Sequence, residues 1–192
     1  YPTGPATYAS AGPRPTTPAI DGVRIATLNA GNFFLTGNSG AAVCGPNQDQ
    51  LCRGWDTGQP EEFTRQRMKL LAALSGLNAD IIGVNEVENT AGVPPLADLV
   101  TDLPGYVFID TGVVGTDVIR NGVLYRTAAV TPVGAVKVLD QVGSRPSPAQ
   151  TFRDTRGEVV TVVVNHFRSK GSPCAGDPDL GDGQGECNLT RT

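Results

Sequence analysis

Residues 159–171 read VVTVVVNHFRSKG and place the only histidine of the 192-residue chain, His166, just after a β-branched run. The run at 159–164 has the near-continuous apolar composition of a strand that is buried on both faces of a sheet. Residues just past such a strand emerge at one edge of the sheet, where the sites of layered α/β proteins often lie. The stretch therefore predicts a layered α/β protein with His166 at a sheet edge.

His166 has two interpretations. A lone histidine after a strand normally does no more than satisfy a backbone carbonyl. Here Arg168, Ser169 and Lys170 follow it directly in the sequence, and their donors suit a phosphate oxygen at a site where protons move. The second interpretation makes His166 a candidate catalytic residue and makes Arg168 and Lys170 candidate substrate-binding residues.

Composition limits the class of protein. With 39% hydrophobic and 6% aromatic residues, the chain can form one ordinary domain with a mainly aliphatic core. The 24 glycines and 15 prolines indicate many turns between short strands. A net charge of −4 argues against a broad basic surface that coats nucleic acid, but it allows an enzyme that meets phosphodiesters at one local site. No apolar run approaches the roughly 18 residues that span a bilayer, so we expect no membrane partner.

The four cysteines favour an oxidising compartment. Cys44 and Cys52 flank one polar loop, and Cys174 and Cys187 flank another. The pairs Cys44–Cys52 and Cys174–Cys187 are therefore the simplest of the three pairings that four cysteines allow. Neither spacing fits a zinc site, and four free thiols in a cytosolic protein are the alternative. We predict two local disulfides in a protein exported to the extracellular space or the periplasm.

Residues 1–22 form a predicted linker. They carry five prolines among Thr, Ala and Ser residues, a composition that favours extended conformations and cannot bury a core. A linker at this position implies that another domain precedes it in the natural gene product. Residues 23–192 are then predicted to belong to one domain.

Polar side chains follow two more predicted strands. The stretch 23–29 alternates apolar and polar residues and ends in Asn29, and the apolar stretch 79–85 is followed by Glu86 and Glu88. Asn29 either caps a turn or ligates a metal ion or phosphate oxygen. Strand alternation would place Glu86 and Glu88 on the same side, which suits a divalent cation, and an exposed acidic turn is the alternative.

Strands outnumber helices in the rest of the chain. Pro60 and the acids after it begin an amphipathic helix that ends near residues 76–78, and a short helix is predicted over 93–102. Residues 36–58 form a long excursion that is either functional or a flap. Further strands are predicted at four places: 106–109, a strand that runs through Asn121, 133–139, and 150–153, which forms a hairpin with the 159–164 run.

The segment 172–188 is glycine-rich and contains Asp177, Asp179 and Asp182. One interpretation is a loop that holds a structural Ca²⁺ ion. Because the spacing misses the EF-hand pattern, a solvated loop closed by a disulfide is the preferred interpretation.

Four stretches, taken together, carry a resemblance to a known family. They are TLNAGNFF at 27–34, DIIGVNEVEN at 80–89, GTDVI at 115–119 with LYR at 124–126, and NHFRSKG at 165–171. In this combination and order, over residues 23–192, the chain resembles the endonuclease/exonuclease/phosphatase superfamily and especially its branch of secreted bacterial nucleases. The resemblance implies a deoxyribonuclease-like four-layer α/β sandwich, in which two packed mixed β-sheets are flanked by helices.

The resemblance also implies roles for individual residues. Asn29 matches the first-strand asparagine near the metal and the phosphate, and Glu86 matches the glutamate that ligates the catalytic Mg²⁺ or Mn²⁺. His166 matches the histidine assigned to proton transfer or to binding the scissile phosphate. Three more residues fall in the region that lines the family's site: Asp117, Tyr125 and Arg126.

The activity implied by the resemblance is metal-dependent hydrolysis of a phosphodiester, with DNA as the expected substrate. Phosphatases and sphingomyelinases share this chemistry, so they remain alternatives. The family's later motifs, an Asp-x-Asn and a terminal Asp-His pair, do not occur in the 192 residues. We therefore expect the N-terminal portion of such a domain, completed by a partner chain or a C-terminal fragment. The rival hypothesis is a catalytically inactive, disulfide-stapled binding module.

Overall fold

The computed structural model describes residues 21–140 and 145–167. This part of the chain contains two helices, α1 (Glu61–Leu77) and α2 (Pro95–Thr101). It also contains nine strands: β1 (Ile25–Phe33), β2 (Ala42–Cys44), β3 (Gln50–Leu51), β4 (Ile81–Glu88), β5 (Tyr106–Phe108), β6 (Ile119–Arg126), β7 (Val130–Leu139), β8 (Ser147–Asp154) and β9 (Val159–Val163). Most of the predicted linker, Arg168, Lys170, the Cys174–Cys187 pair and the aspartate-rich loop lie outside the described residues.

The first sheet has the strand order β1-β4-β6-β5. β4 is its central buried strand, and it pairs in parallel with β1 and antiparallel with β6. Seven of the eight β4 residues are buried, as the apolar stretch at 79–85 predicts. The carboxyl ends of β1 and β4 therefore meet at one edge of the sheet.

The second sheet is antiparallel, with the order β7-β8-β9. In the described sheet β9 pairs only with β8, and Val159 and Val163 are 56% and 42% exposed. Val160 and Val162 point the other way and pack against the core between the sheets. The prediction that this strand is buried on both faces is wrong, because β-branched residues fit any half-buried pleated surface.

The two sheets pack face to face. On β6, Val123 joins the cluster between the sheets, whereas the adjacent Leu124 faces the cluster formed with the helices. The chain is thus a mixed α/β protein with two packed sheets, and this part of the fold prediction is confirmed. The described residues supply three layers, with α1 and α2 covering the outer face of the first sheet.

α1 shows the expected sequence signals. Glu61 and Glu62 lie in its first turn, where carboxylates complement the positive end of the helix dipole. Leu70 and Leu74 are its buried residues, and Asn78 ends it in the left-handed conformation. Among the described residues, no helix is long and apolar enough to cross a membrane.

The long excursion after β1 folds into the β2–β3 hairpin. Its strands are joined by the disulfide Cys44–Cys52, which confirms one of the two predicted pairs. Both cysteines are buried with Phe34, Val118 and Ile119 in a small separate cluster. The hairpin is therefore anchored beside the start of β6, which pairs with the carboxyl end of β4.

Candidate active site

Glu86 occupies an irregular position near the end of β4. The register between β4 and β6 shifts between Val84 and Val87, and Glu86 has φ of 60°. A left-handed conformation costs a glutamate about 1–3 kcal/mol, so the surrounding structure must hold it. The irregularity directs Glu86 toward a cluster at the sheet edge.

Glu88 does not share this cluster. It is fully buried, and its Oε2 accepts backbone hydrogen bonds from Leu35 at 2.8 Å and Thr36 at 3.0 Å. Both carboxylates thus accept backbone N–H groups of residues 32–36, and Val87 between them packs in the cluster beneath the helices. A cation site shared by Glu86 and Glu88 stays a prediction.

Glu86 and His166 are in direct contact. The Nε2 atom of His166 lies 3.3 Å from Oε1 of Glu86, and both side chains are mostly buried. The other carboxylate oxygen of Glu86 accepts the backbone N–H of Asn32 at 3.2 Å. Two residues predicted from separate strand ends thus meet at one site.

Arg145 also contacts the imidazole. Its Nη1 lies 2.8 Å from Nδ1 of His166 and 3.4 Å from Nε2. Because a guanidinium only donates hydrogen bonds, the shorter contact favours the tautomer in which Nδ1 accepts and Nε2 carries the ring proton. Burial and then the charge of Arg145 lower the pKa of His166 from its ordinary value of 6.5, although Glu86 and Asp117 act in the opposite direction. The imidazole is therefore neutral at neutral pH.

Asp117 anchors two arginines at the site. Its Oδ2 accepts the Nε–H of Arg145 at 3.0 Å, and its Oδ1 lies 3.3 Å from Nη1 of Arg53. The Asp117 side chain is only 10% exposed. The structure thus brings Asp117 to the predicted site, where it positions the arginines.

A network of amides holds the segment that carries His166. Nδ2 of Asn85 donates to Oδ1 of Asn121 at 2.8 Å and to the Asn165 carbonyl at 3.1 Å. Nδ2 of Asn121 donates to the Pro146 carbonyl, and Oγ of Ser147 donates to Oδ1 of Asn165 at 2.7 Å. Buried amides require such partners. The network joins β4, β6 and β8 to the chain just before His166.

Asn29 lies at the same edge of the sheet, where it pairs with Asn85 across β1 and β4. Its Oδ1 accepts the backbone N–H of Gly31 at 2.8 Å, and its side chain is exposed. This is the contact expected of a turn-capping asparagine. The metal-binding and catalytic roles of Asn29 stay predictions.

Tyr125 and Arg126 are not part of the cluster, which corrects their predicted place in the site. β6 runs antiparallel to β4, so Tyr125 pairs with Ile81 at the start of β4. Its ring packs in the core, 5.2 Å from that of Phe152. Arg126 lies over the ring of Tyr106. Both residues are at the far end of the strand from Glu86.

Sequence reasoning missed several residues of this site. Arg145 lies within a Pro/Ser/Gly-rich loop, and no local pattern distinguishes it from other surface arginines. Arg53 lies next to Cys52, and the disulfide was the one available signal that its position is fixed. Asn85 directly follows the apolar stretch that identified Glu86, whereas Asn121 follows Arg120 and no local pattern marks it.

The donor set at the edge fits a magnesium ion that retains most of its water. Mg²⁺ is commonly held in proteins by one or two carboxylates and keeps several water ligands. Glu86 supplies one carboxylate, and Asn29 supplies an amide oxygen on the neighbouring strand. Within residues 21–140 and 145–167, no group of three or more His, Cys, Asp or Glu side chains could hold a metal ion. A site built only from protein ligands is thus not formed by the described residues.

No protein-family model matches the chain, and no curated protein matches it. Solved structures with a similar fold include an endonuclease/exonuclease/phosphatase from Bacteroides vulgatus, which is 16% identical over 76% of this chain and 52% of that chain, with a TM-score of 0.47. An endonuclease/exonuclease/phosphatase family protein from Bacteroides thetaiotaomicron is 14% identical over 73% of this chain and 49% of that chain, with a TM-score of 0.48. A mannosyl-6-phosphatase from the same organism is 14% identical over 73% of this chain and 50% of that chain, with a TM-score of 0.46. The chain thus spans about half the length of these structures, and the similarity at these identities is one of fold alone.

Proposed function

We propose that this chain carries part of the active site of a divalent-metal-dependent phosphodiester hydrolase that acts on DNA. The observation that carries the proposal is that His166 contacts both Glu86, at 3.3 Å, and Arg145, at 2.8 Å. A carboxylate, a neutral imidazole and two arginines converge there at the carboxyl end of a buried strand. This combination is better explained by a binding site for an anionic substrate than by an ordinary solvated turn.

His166 is proposed to bind the phosphoryl group through its Nε2–H. Arg145 occupies Nδ1, so that nitrogen is not free to accept a proton. In the tautomer favoured by this contact, Nε2 carries the proton and can donate a hydrogen bond to a phosphoryl oxygen. Nε2 lies 3.3 Å from Oε1 of Glu86, so such a donor would face the proposed metal position. Of the two roles implied by the resemblance, the geometry therefore favours phosphate binding over proton transfer.

Glu86, with Asn29 beside it, is the proposed position for Mg²⁺ or Mn²⁺. The chemistry that such an ion supplies when bound is Lewis-acid polarisation of the phosphoryl group. Arg145 and Arg53 are held by Asp117 before any substrate arrives, so their charges need no reorganisation. Donors positioned in this way can lower a barrier by about 3–4 kcal/mol each.

Export to an oxidising compartment is part of the proposal. The Cys44–Cys52 disulfide supports it, because structural disulfides are rare in the cytosol. Arg168 and Lys170 are proposed to bind the substrate close to His166. The groups that activate the water are proposed to come from a partner chain or from a further segment of the same domain.

Nicking of supercoiled plasmid tests the function. The chain is incubated with Mg²⁺, with EDTA, and in parallel as the Glu86→Gln variant. We expect nicking that EDTA abolishes and that Glu86→Gln loses. Glu158→Gln, which removes an exposed carboxylate on the second sheet, should retain it.

Undiminished nicking by Glu86→Gln would contradict the assignment. If the folded chain alone is inactive, the assay is repeated with the downstream segment of the natural protein added. Activity that appears on addition and depends on Glu86 supports the proposal. Continued inactivity would favour the binding-module hypothesis.

A further inference from the structure

A cleft of about 370 Å³ lies beside the candidate site. One wall is the face of α1 that carries one acid, Glu62, together with Arg65, Gln66 and Lys69. The opposite wall is the segment after the disulfide, including Arg53 and Trp55. The cleft is thus formed by the two elements that flank the turn at the end of β1.

The cleft concentrates positive charge in a protein whose net charge is −4. Arg65 and Lys69 lie one turn apart on α1, a spacing at which like charges repel. Lys69 has no ion-pair partner in the part of the chain that the structure describes. Arg65 contacts Glu62 at 3.3 Å, but these side chains are 62% and 37% exposed, so the pair is weak. The wall therefore remains available to an anion.

The cleft is continuous with the catalytic cluster. The turn residue Asn32 lines the cleft and donates its backbone N–H to Glu86 at 3.2 Å. Arg53 also lines the cleft, and its guanidinium lies 3.3 Å from Asp117, the carboxylate that holds Arg145. A chain of direct contacts thus runs from the cleft to His166. A polymer whose phosphate lies at His166 could continue into the cleft.

The walls of the cleft are fixed rather than loosely placed. Nε2 of Gln66 donates to the Gly31 carbonyl at 2.8 Å and so ties α1 to the irregular last part of β1. Trp55 packs on Phe63 of α1, with ring centroids 5.7 Å apart. Arg53 follows Cys52 directly, so the disulfide limits its movement. Cations held in place lose less conformational freedom when they bind a ligand.

We propose that the cleft binds the backbone of a DNA strand whose scissile phosphate lies at His166, with Arg53, Arg65 and Lys69 as its phosphate contacts. The inference rests on the proposed function, because it assumes that the substrate reaches the site as a polymer. A single phosphate group would not need three cations spread along a cleft beyond the site. Successive phosphates of a strand would use them all.

The test measures binding without catalysis. A short fluorescein-labelled DNA strand is titrated with the full chain in EDTA, and anisotropy is recorded at several salt concentrations. The double variant Arg65→Ala/Lys69→Ala should raise the Kd severalfold at low salt. The slope of log K against log salt should become shallower by about 1.4, the value for two lost contacts to a single strand.

The matched control removes the same two charges from the second sheet. Arg153 and Lys137 are exposed on β8 and β7, so Arg153→Ala/Lys137→Ala makes an equal change in net charge. This control should bind as the unaltered chain does. Equal losses in the two double variants, or no loss in Arg65→Ala/Lys69→Ala, would overturn the inference.

A separate assay distinguishes this inference from the proposed function. The unaltered protein is tested with Mg²⁺ for hydrolysis of a small diester, bis(p-nitrophenyl) phosphate, which is too short to occupy the cleft. If the diester is hydrolysed but Arg65→Ala/Lys69→Ala binds the strand as the unaltered chain does, the proposed DNA binding in the cleft is overturned and the proposed function stands. Cleft-dependent strand binding without hydrolysis of the diester or of DNA, even after the downstream segment is added, would overturn the proposed function and support the proposed binding in the cleft.

Discussion

Arg145 Nη1 lies 2.8 Å from His166 Nδ1 and 3.4 Å from Nε2, so the arginine favours the tautomer whose proton is on Nε2. Its guanidinium charge also lowers the pKa of His166, second only to burial. Neither effect depends on a bound ion. The pair can therefore be studied in the free protein.

Replacing Arg145 should raise the pKa of His166. Arg145→Ala removes a positive charge that disfavours the imidazolium form. Because His166 is the only histidine, its ring signals can be followed by NMR against pH without ambiguity. We expect a pKa below 6.5 in the unaltered chain in EDTA and a higher value in the variant. Arg153→Ala, on the second sheet, should leave the titration unchanged, and an unshifted pKa in Arg145→Ala would contradict the contact.

The lowered pKa of His166 also determines the direction in which the free energy of unfolding changes with pH. Just below pH 6.5 the unfolded chain binds more protons at this residue than the folded chain does. The contribution of His166 to the free energy of unfolding is therefore fully present above pH 6.5, and it is lost as the pH falls toward and through the pKa of the folded state. In urea unfolding, His166→Gln should show a weaker loss of stability over this range than the unaltered chain. An identical pH dependence in the two proteins would refute a buried neutral histidine.

Asp117 should stabilise the protein more than a surface acid does. Asp117→Asn removes the partner of Arg145 and Arg53 and leaves Arg145, which is largely buried, without its counter-ion. We expect a loss of about 1–3 kcal/mol in the free energy of unfolding, measured with urea. Glu62→Gln, which breaks the exposed pair with Arg65, should cost less than about 1 kcal/mol. Equal costs would show that Asp117 makes no special contact.

The sequence predicts the parts of this site that follow from local patterns. Glu86 and His166 each follow an apolar run, and such runs place the residues after them at a sheet edge. Leu70 and Leu74 show helical spacing, and this is why α1 could be located closely. These inferences need only periodicity and strand-end geometry, which act within a few residues of the chain.

The parts that could not be predicted depend on contacts distant in sequence. Arg145 meets Asp117 across 28 positions, and no local pattern records that contact. The register shift at Glu86 depends on the pairing of β4 with β6, and the sequence gives no local sign of the left-handed conformation of Glu86. Tyr125 was misplaced because its motif follows Asp117 closely, although the intervening strand carries it to the far end of the sheet.

Gly83 marks a close approach between the sheets. A Cβ added at this position would lie 2.9 Å from Cγ2 of Val164, which is buried. Gly83→Ala should therefore destabilise the chain by about 1–3 kcal/mol in urea unfolding. Combining it with Val164→Ala should cost less than the sum of the two single changes, because the smaller residue removes the clash. Gly76→Ala is the control, because Gly76 lies in open space on α1, and it should stabilise the chain by about 0.5–1 kcal/mol. If the costs of Gly83→Ala and Val164→Ala simply add in the double variant, the close packing of the two residues is contradicted.

The Cys44–Cys52 disulfide should support both stability and strand binding. It closes a loop over a sequence separation of 8 residues, so its reduction should lower the free energy of unfolding by about 2–3 kcal/mol in the chain-entropy model. The comparison is made in a Cys174→Ser/Cys187→Ser background, where a reductant acts only on Cys44–Cys52. Reduction should also weaken binding of the labelled DNA strand, because Arg53 follows Cys52 and loses its fixed position beside Asp117. If reduction lowers stability but leaves both the Kd for the DNA strand and its salt dependence unchanged, the disulfide does not position Arg53 for DNA binding.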